Sequence, residues 1–209
     1  MKTLTLFLVI CFTQFINASS YEEAMQQNIK QLFETKHVND FNSIAAHFKR
    51  IASAETDKWL PSYYAAYTYA RSTYFISNAD SIDMQLDKAQ AELDALLKRQ
   101  DKESEIHVLQ GFVYSLRITS PVRGYKYSSL SNASLAKAEE LNPDNPRVHY
   151  GKGNNIYYTP KMFGGGPHKA KPHYEKAARL FNLPVKNVLW PSWGKQHNSQ
   201  MLGKCVETN

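Results

Sequence analysis

Cysteine is nearly missing from this chain: two in 209 residues, Cys11 and Cys205. Cys11 falls in an N-terminal stretch that reads as a removed export signal, so Cys205 stands alone and no internal disulfide framework can form. Packing must hold the fold. Period-two alternation is absent over any useful length, so strands are not expected. After residue 12 no apolar run approaches the length of a bilayer span. Lys and Arg outnumber Asp and Glu by 25 to 19, yet no basic run exists. The one local excess is Lys161, Lys169, Lys171, Lys176 and Arg179. Elsewhere lysines alternate with glutamates, as in Lys88, Glu92 and Lys98, which is the pattern of solvated helix faces and not of a nucleic-acid surface.

Catalytic motifs are equally scarce. No nucleophile elbow is present. The pairs Glu22-Glu23 and Glu139-Glu140 lie beside lysines on amphipathic stretches and read as solvated charges. Gly164-Gly165-Gly166 precedes a helix, but no strand comes before it and no Lys-Ser or Lys-Thr follows at nucleotide-loop spacing. It reads as a flexible turn that lets Phe163 fold back onto the neighbouring helices. His168 and His173 are five apart, on different helix faces, with no carboxylate at ligand spacing. Cys205 shares one helical face with Met201, Leu202 and Val206, as a small buried apolar residue does. Asn132-Ala133-Ser134 matches a glycosylation sequon but falls inside a helical pattern. No catalytic residue, metal ligand or cofactor is expected, and the chain reads as a non-enzyme.

The N-terminus reads as a secretory signal over residues 1–18. Lys2 supplies the charge, Leu4 to Phe12 the apolar run, and Ile16-Asn17-Ala18 a cleavage site. Ile10 is too bulky beside Cys11 for a lipid-attachment signal. Loss of Lys2 takes the net charge from +6 to +5. The remainder is expected to be exported, periplasmic or secreted, with no membrane span and no nucleic-acid partner.

What the chain does have is aromatic residues (13 Tyr, 10 Phe and 3 Trp) set in helical periodicities. Met25, Ile29, Leu32 and Phe33 make one stripe over Tyr21 to Glu34. Asn39-Asp40 can cap a second helix bearing Phe41, Ile44, Phe48 and Ile51. A third starts at Trp59-Leu60-Pro61 with Pro61 in its first turn. The fourth covers about Ser81 to Lys98. A fifth carries Ile106, Leu109 and Val113 and ends at Pro121 and Gly124. The sixth runs about Ser128 to Leu141, the seventh Pro146 to Tyr158, and the eighth His168 to Asn182. Pro184 to Pro191 is a linker before a last helix, Ser192 to Val206.

These helices share a phase. Align Ala66, Gly111 and Gly153, and Tyr69, Tyr114 and Ile156 fall three later. In the partner helices Ala89, Ser131 and Ala170 align, followed by Leu93, Leu135 and Tyr174, then by Leu96, Ala138 and Ala177. Small residue, large residue, small residue at this spacing resembles the tetratricopeptide repeat (TPR) family. That resemblance implies an all-α antiparallel helix-pair solenoid of about three to four repeats over residues 19–182, with a linker and C-terminal capping helix over 183–209. The chain departs from the family where the early tryptophan of each first helix is replaced by Ser62, His107 and His149. It also enlarges the turns Ser72 to Ser81, Ile118 to Tyr127 and Thr159 to Lys169. Tyr158-Thr159-Pro160, Phe163-Gly164-Gly165-Gly166, Lys169-Ala170 and Pro191-Ser192-Trp193-Gly194 are similar to a subgroup of exported bacterial repeat proteins.

In the TPR family the first helices line a concave groove. Carried onto this chain, the groove residues are Tyr63, Tyr67, Val108, Phe112, Arg147, Tyr150, Asn154 and Tyr157, with the loop Phe163, Gly164, Gly165 and Gly166 beside them. The resemblance implies a scaffold that binds a protein or peptide in this groove. The alternative is a periplasmic carrier whose tyrosine- and phenylalanine-rich first helices enclose a small hydrophobic metabolite or lipid.

Overall fold

The computed structural model describes residues 21–185 and 187–207, and the expected export signal lies outside them. Every regular element among the described residues is helical. The first helix includes residues 21–34 (α1). It is followed by α2 (Val38–Ala54), α3 (Leu60–Ser72), a 3-10 turn (Thr73–Phe75), α4 (Ala79–Leu97) and α5 (Ser104–Leu116). Then come α6 (Pro121–Leu141), α7 (Pro146–Tyr158), a second 3-10 turn (Lys161–Phe163), α8 (Pro167–Leu180) and α9 (Lys195–Glu207). Sequential helices pack as antiparallel neighbours, and α3, α5 and α7 also touch one another along the inner side. This is the solenoid that the shared phase implies. Among the described residues no helix is long and apolar enough to cross a membrane.

The repeat register is visible at close quarters. A Cβ on Gly111 would stand 3.1 Å from Leu135 Cγ, and one on Gly153 only 2.7 Å from the Tyr174 ring. Leu135 and Tyr174 are the aligned large residues of the partner helices, so each aligned glycine receives its equivalent knob. Ser131 Oγ donates to the Gly111 carbonyl at 2.8 Å, tying the same pair of helices. The junctions repeat as well. His107 Nε2 meets the Asp101 carbonyl at 2.7 Å and His149 Nε2 the Pro143 carbonyl at 2.8 Å, each six residues upstream. A histidine in the family's tryptophan position thus clips one repeat to the turn before it.

Several boundaries differ from the sequence reading; the last helix begins at Lys195 and not at Ser192, which leaves Trp193 in the segment before it. Pro121 does not end α5; it opens α6, because a missing N–H costs nothing in a helix's first turn. The enlarged turn Ile118 to Tyr127 is therefore mostly extra helix. Asn39 and Asp40 lie inside α2, whose N-cap is His37. Asp40 instead accepts a hydrogen bond from the Thr35 hydroxyl at 2.8 Å.

The core runs through α3, where twelve of thirteen residues are buried; Arg71 is the exception. It is rich in stacked rings such as Phe48–Tyr64 and Phe41–Phe75, both with centroids 5.3 Å apart. Cys205 is buried and unbonded, as its apolar face requires.

Candidate functional site

The concave face is formed by α3, α5 and α7, and the chain fills its floor with its own C-terminal segment. Residues 187–194 cross the inner side, and Trp193 and Leu189 press into it. The Trp193 ring stacks on Tyr67 (5.3 Å between centroids, 16° between planes) and packs against Phe112 at 5.3 Å and Tyr150 at 6.2 Å. Its indole Nε1 donates to the Tyr63 hydroxyl at 2.8 Å, and the Tyr64 hydroxyl donates to the Leu189 carbonyl at 2.9 Å. A flat amphipathic ring with one N–H suits this place, because its faces stack and its polar edge finds a partner.

The expected groove residues therefore lie in different surroundings. Tyr63, Tyr67, Val108, Arg147 and Tyr150 are buried, not presented outward. Arg147 forms a buried fork on Glu105, with Nε to the two carboxylate oxygens at 3.1 and 2.9 Å and Nη2 to Oε1 at 2.9 Å. Its Nη1 donates to the Trp193 carbonyl at 3.2 Å, so the pair locks α5, α7 and the crossing segment together. Asn154 accepts from the Tyr174 hydroxyl at 2.8 Å. Phe112 and Tyr157 are half-buried. The space left between α5, α7 and Trp193, beside Phe112, Arg147, Tyr150 and Asn154, is about 20 Å³, room for about one water molecule. Small-molecule pockets measure roughly 300–1,000 Å³. The floor itself is full.

The rim is different. Tyr67, Arg71 and Tyr74 follow at spacings of four and three along α3 and the turn after it, extending the Tyr63–Tyr67 stripe outward. Tyr74 is 61% exposed, with its ring 6.4 Å from Phe112. Across the groove Tyr158 ends α7, 68% exposed and edge-on to Tyr157 at 5.1 Å. Met162 and Phe163 follow on the next loop, 83% and 72% exposed. Phe163 does not fold back as expected, and the glycine loop is tied down. Gly166 donates to the Ile156 carbonyl at 2.9 Å and Gly164 to the Lys161 carbonyl at 2.9 Å, while Gly164 and Gly166 take φ of 87° and 108°. The loop thereby holds Met162 and Phe163 outward beside the end of α7.

Two buried phenols of the floor are held neutral. Exclusion of water pushes Tyr67 and Tyr150 well above the ordinary phenol range. The Tyr150 hydroxyl meets His197 Nδ1 at 2.8 Å, and burial lowers the pKa of that imidazole.

A second concavity lies apart from this one. It is an open dish of about 660 Å³ between α1 and α2, lined by polar groups including Glu34, His37, Asp40 and His47. His47 Nδ1 there contacts Asn28 Oδ1 at 3.1 Å. Among the described residues no group of three or more His, Cys, Asp or Glu could hold a metal ion.

Sequence reasoning passed over Arg71 and Tyr74, although continuing the Tyr63–Tyr67 spacing by one and two turns reaches both. The sequence reading placed Trp193 at the start of the last helix; it lies instead in the non-helical segment before α9, whose contacts no periodicity announces.

No protein-family model and no curated protein matches the chain. Among solved structures it is similar to the HusA haemophore from Porphyromonas gingivalis. The identity is 31% and the TM-score 0.80, over 90% of this chain and 94% of that one. It is also similar to a thermophilic TPR protein from Thermus thermophilus, at 16% identity and TM-score 0.56 over 90% of each chain. The second likeness shows the fold alone.

Proposed function

The chain belongs to the family of the HusA haemophore, and on that premise we propose that it is an exported, non-enzymatic carrier whose cargo is haem or a closely related flat macrocycle. The observation that carries this reading is the pairing of near-full-length kinship to a haemophore with an aromatic rim whose rings remain exposed. Tyr74, Tyr158 and Phe163, with Met162, offer flat and polarizable surface to a planar ligand. Phenol oxygens can also bind haem iron as phenolates. A phenol must lose its proton to ligate iron in this way, so iron binding through one would strengthen as pH rises.

The peptide-scaffold reading is less well supported. The groove that a peptide would enter is filled by Leu189 and Trp193 of the chain itself. Export rests on the N-terminal segment read from the sequence.

Titration of the purified protein with ferric haem and with metal-free protoporphyrin tests the reading, followed by the Soret band and by tryptophan fluorescence. Saturable one-to-one binding is expected. The Tyr74→Ala/Tyr158→Ala variant should bind more weakly, on the order of tenfold, with its urea midpoint little changed because both rings are exposed. Failure of the wild-type protein to saturate with either compound overturns the carrier reading. Unchanged affinity in the double variant overturns the assignment to the rim.

A further inference from the structure

We propose that Arg71 is the anion anchor of this rim, so that the site selects a flat ring system bearing a carboxylate over the same ring without one. The inference rests on the carrier reading and sharpens it to a ligand class.

Four arginines are at least partly buried among the described residues: Arg71, Arg117, Arg123 and Arg147. Three are neutralised by carboxylates. Arg117 pairs with Asp87 at 2.7 Å, Arg123 with Asp83 at 2.9 Å, and Arg147 with Glu105 at 2.9 Å. Arg71 has no carboxylate within ion-pair distance among the described residues. Its Nε is buried without an acceptor. A buried N–H left unsatisfied is costly, so native structures rarely keep one without a reason.

The surroundings hold the guanidinium in place without neutralising it. Its central carbon lies 5.4 Å from the centre of the Phe33 ring and 6.0 Å from that of Phe75. Tyr67 lies one turn earlier on the same face of α3. Aromatic faces attract a cation yet do not use up its N–H groups, which remain suited to a planar, bidentate partner. The last turn of α3 adds carbonyl dipoles that favour positive charge there. Arg71 is also the one residue of α3 that is not buried, so this long internal helix opens to solvent at its cation. The opening lies beside Tyr67 and Tyr74, the start of the exposed aromatic rim. A ligand stacked on Tyr74 would bring an edge carboxylate toward Arg71, three residues earlier in the chain.

Protoporphyrin as the free diacid and as its dimethyl ester separate the possibilities, titrated by fluorescence quenching against wild type, Arg71→Gln and Arg71→Lys. The diacid should bind wild type more tightly than the ester, by about tenfold, the worth of a charge-assisted hydrogen bond. Arg71→Gln should lose that preference while keeping its affinity for the ester, and Arg71→Lys should recover part of it. Equal binding of diacid and ester by wild type overturns the inference and leaves the carrier reading standing. Equal weakening of both ligands in Arg71→Gln also overturns it, since Arg71 then only packs between Phe33 and Phe75. If neither compound binds wild type, the carrier reading fails and takes the inference with it.

Discussion

Single residues decide how closely these helices approach. A methyl group on Gly153 would intrude on the Tyr174 ring at 2.7 Å, and Tyr174 is fully buried and bonded to Asn154. Gly153→Ala should therefore destabilise by about 1–3 kcal/mol, the cost of overpacking a filled core. Gly203 gives the opposite sign. Nothing lies within 4 Å of a Cβ there, and the residue sits within α9. Gly203→Ala should stabilise by roughly 0.5–1 kcal/mol through helix propensity. Urea unfolding with unchanged m-values checks both. The Arg147–Glu105 fork sets a larger scale. Arg147→Ala would leave Glu105 buried at 2% exposure with no cation, at a cost of about 3–5 kcal/mol. Replacing both partners by apolar residues should recover much of that loss. The fork was not legible from sequence, where Arg147 stood on the stripe of Tyr150, Asn154 and Tyr157. That spacing is correct for one helix, but it says nothing about a partner 42 residues upstream.

Among the elements, the segment before α9 changes the meaning of the concave face. Trp193→Phe keeps a ring against Tyr67 but removes the donor to the Tyr63 hydroxyl, and should cost about 1–3 kcal/mol. Trp193→Ala should cost about 3–5 kcal/mol. A larger loss for Ala than for Phe, read from urea midpoints, checks that stacking contributes more than the hydrogen bond. The helices themselves were legible: α7 runs from Pro146 to Tyr158 as its periodicity and flanking prolines require. The crossing segment was not, because residues 187–194 carry no repeat and their partners lie about 130 positions away. The repeat junctions add a pH dependence. Burial depresses the pKa of His149, His173 and His197 below that of the unfolded chain. A depressed imidazole contributes stability that is complete above the unfolded pKa, near 6.5, and is lost as pH falls through the folded value. The urea midpoint should therefore fall between roughly pH 7 and pH 5, and His149→Gln should flatten part of that fall. A midpoint that rises on acidification would contradict the burial of these rings.

For the whole molecule, a solenoid that fills its own concave floor leaves its rim as the surface for cargo. The floor is braced by Trp193 and the Arg147–Glu105 fork, so binding at Tyr74, Arg71 and Tyr158 needs no opening of the core. Free and loaded protein should then unfold with similar m-values, the loaded form at higher urea by mass action alone. The direct test is the position of iron in crystals grown with ferric haem, located by anomalous scattering. Iron beside the Tyr74–Tyr158 rim, with a carboxylate edge toward Arg71, is the predicted result. Iron in the dish of His37 and His47, or bound after Trp193 has left the floor, would contradict it.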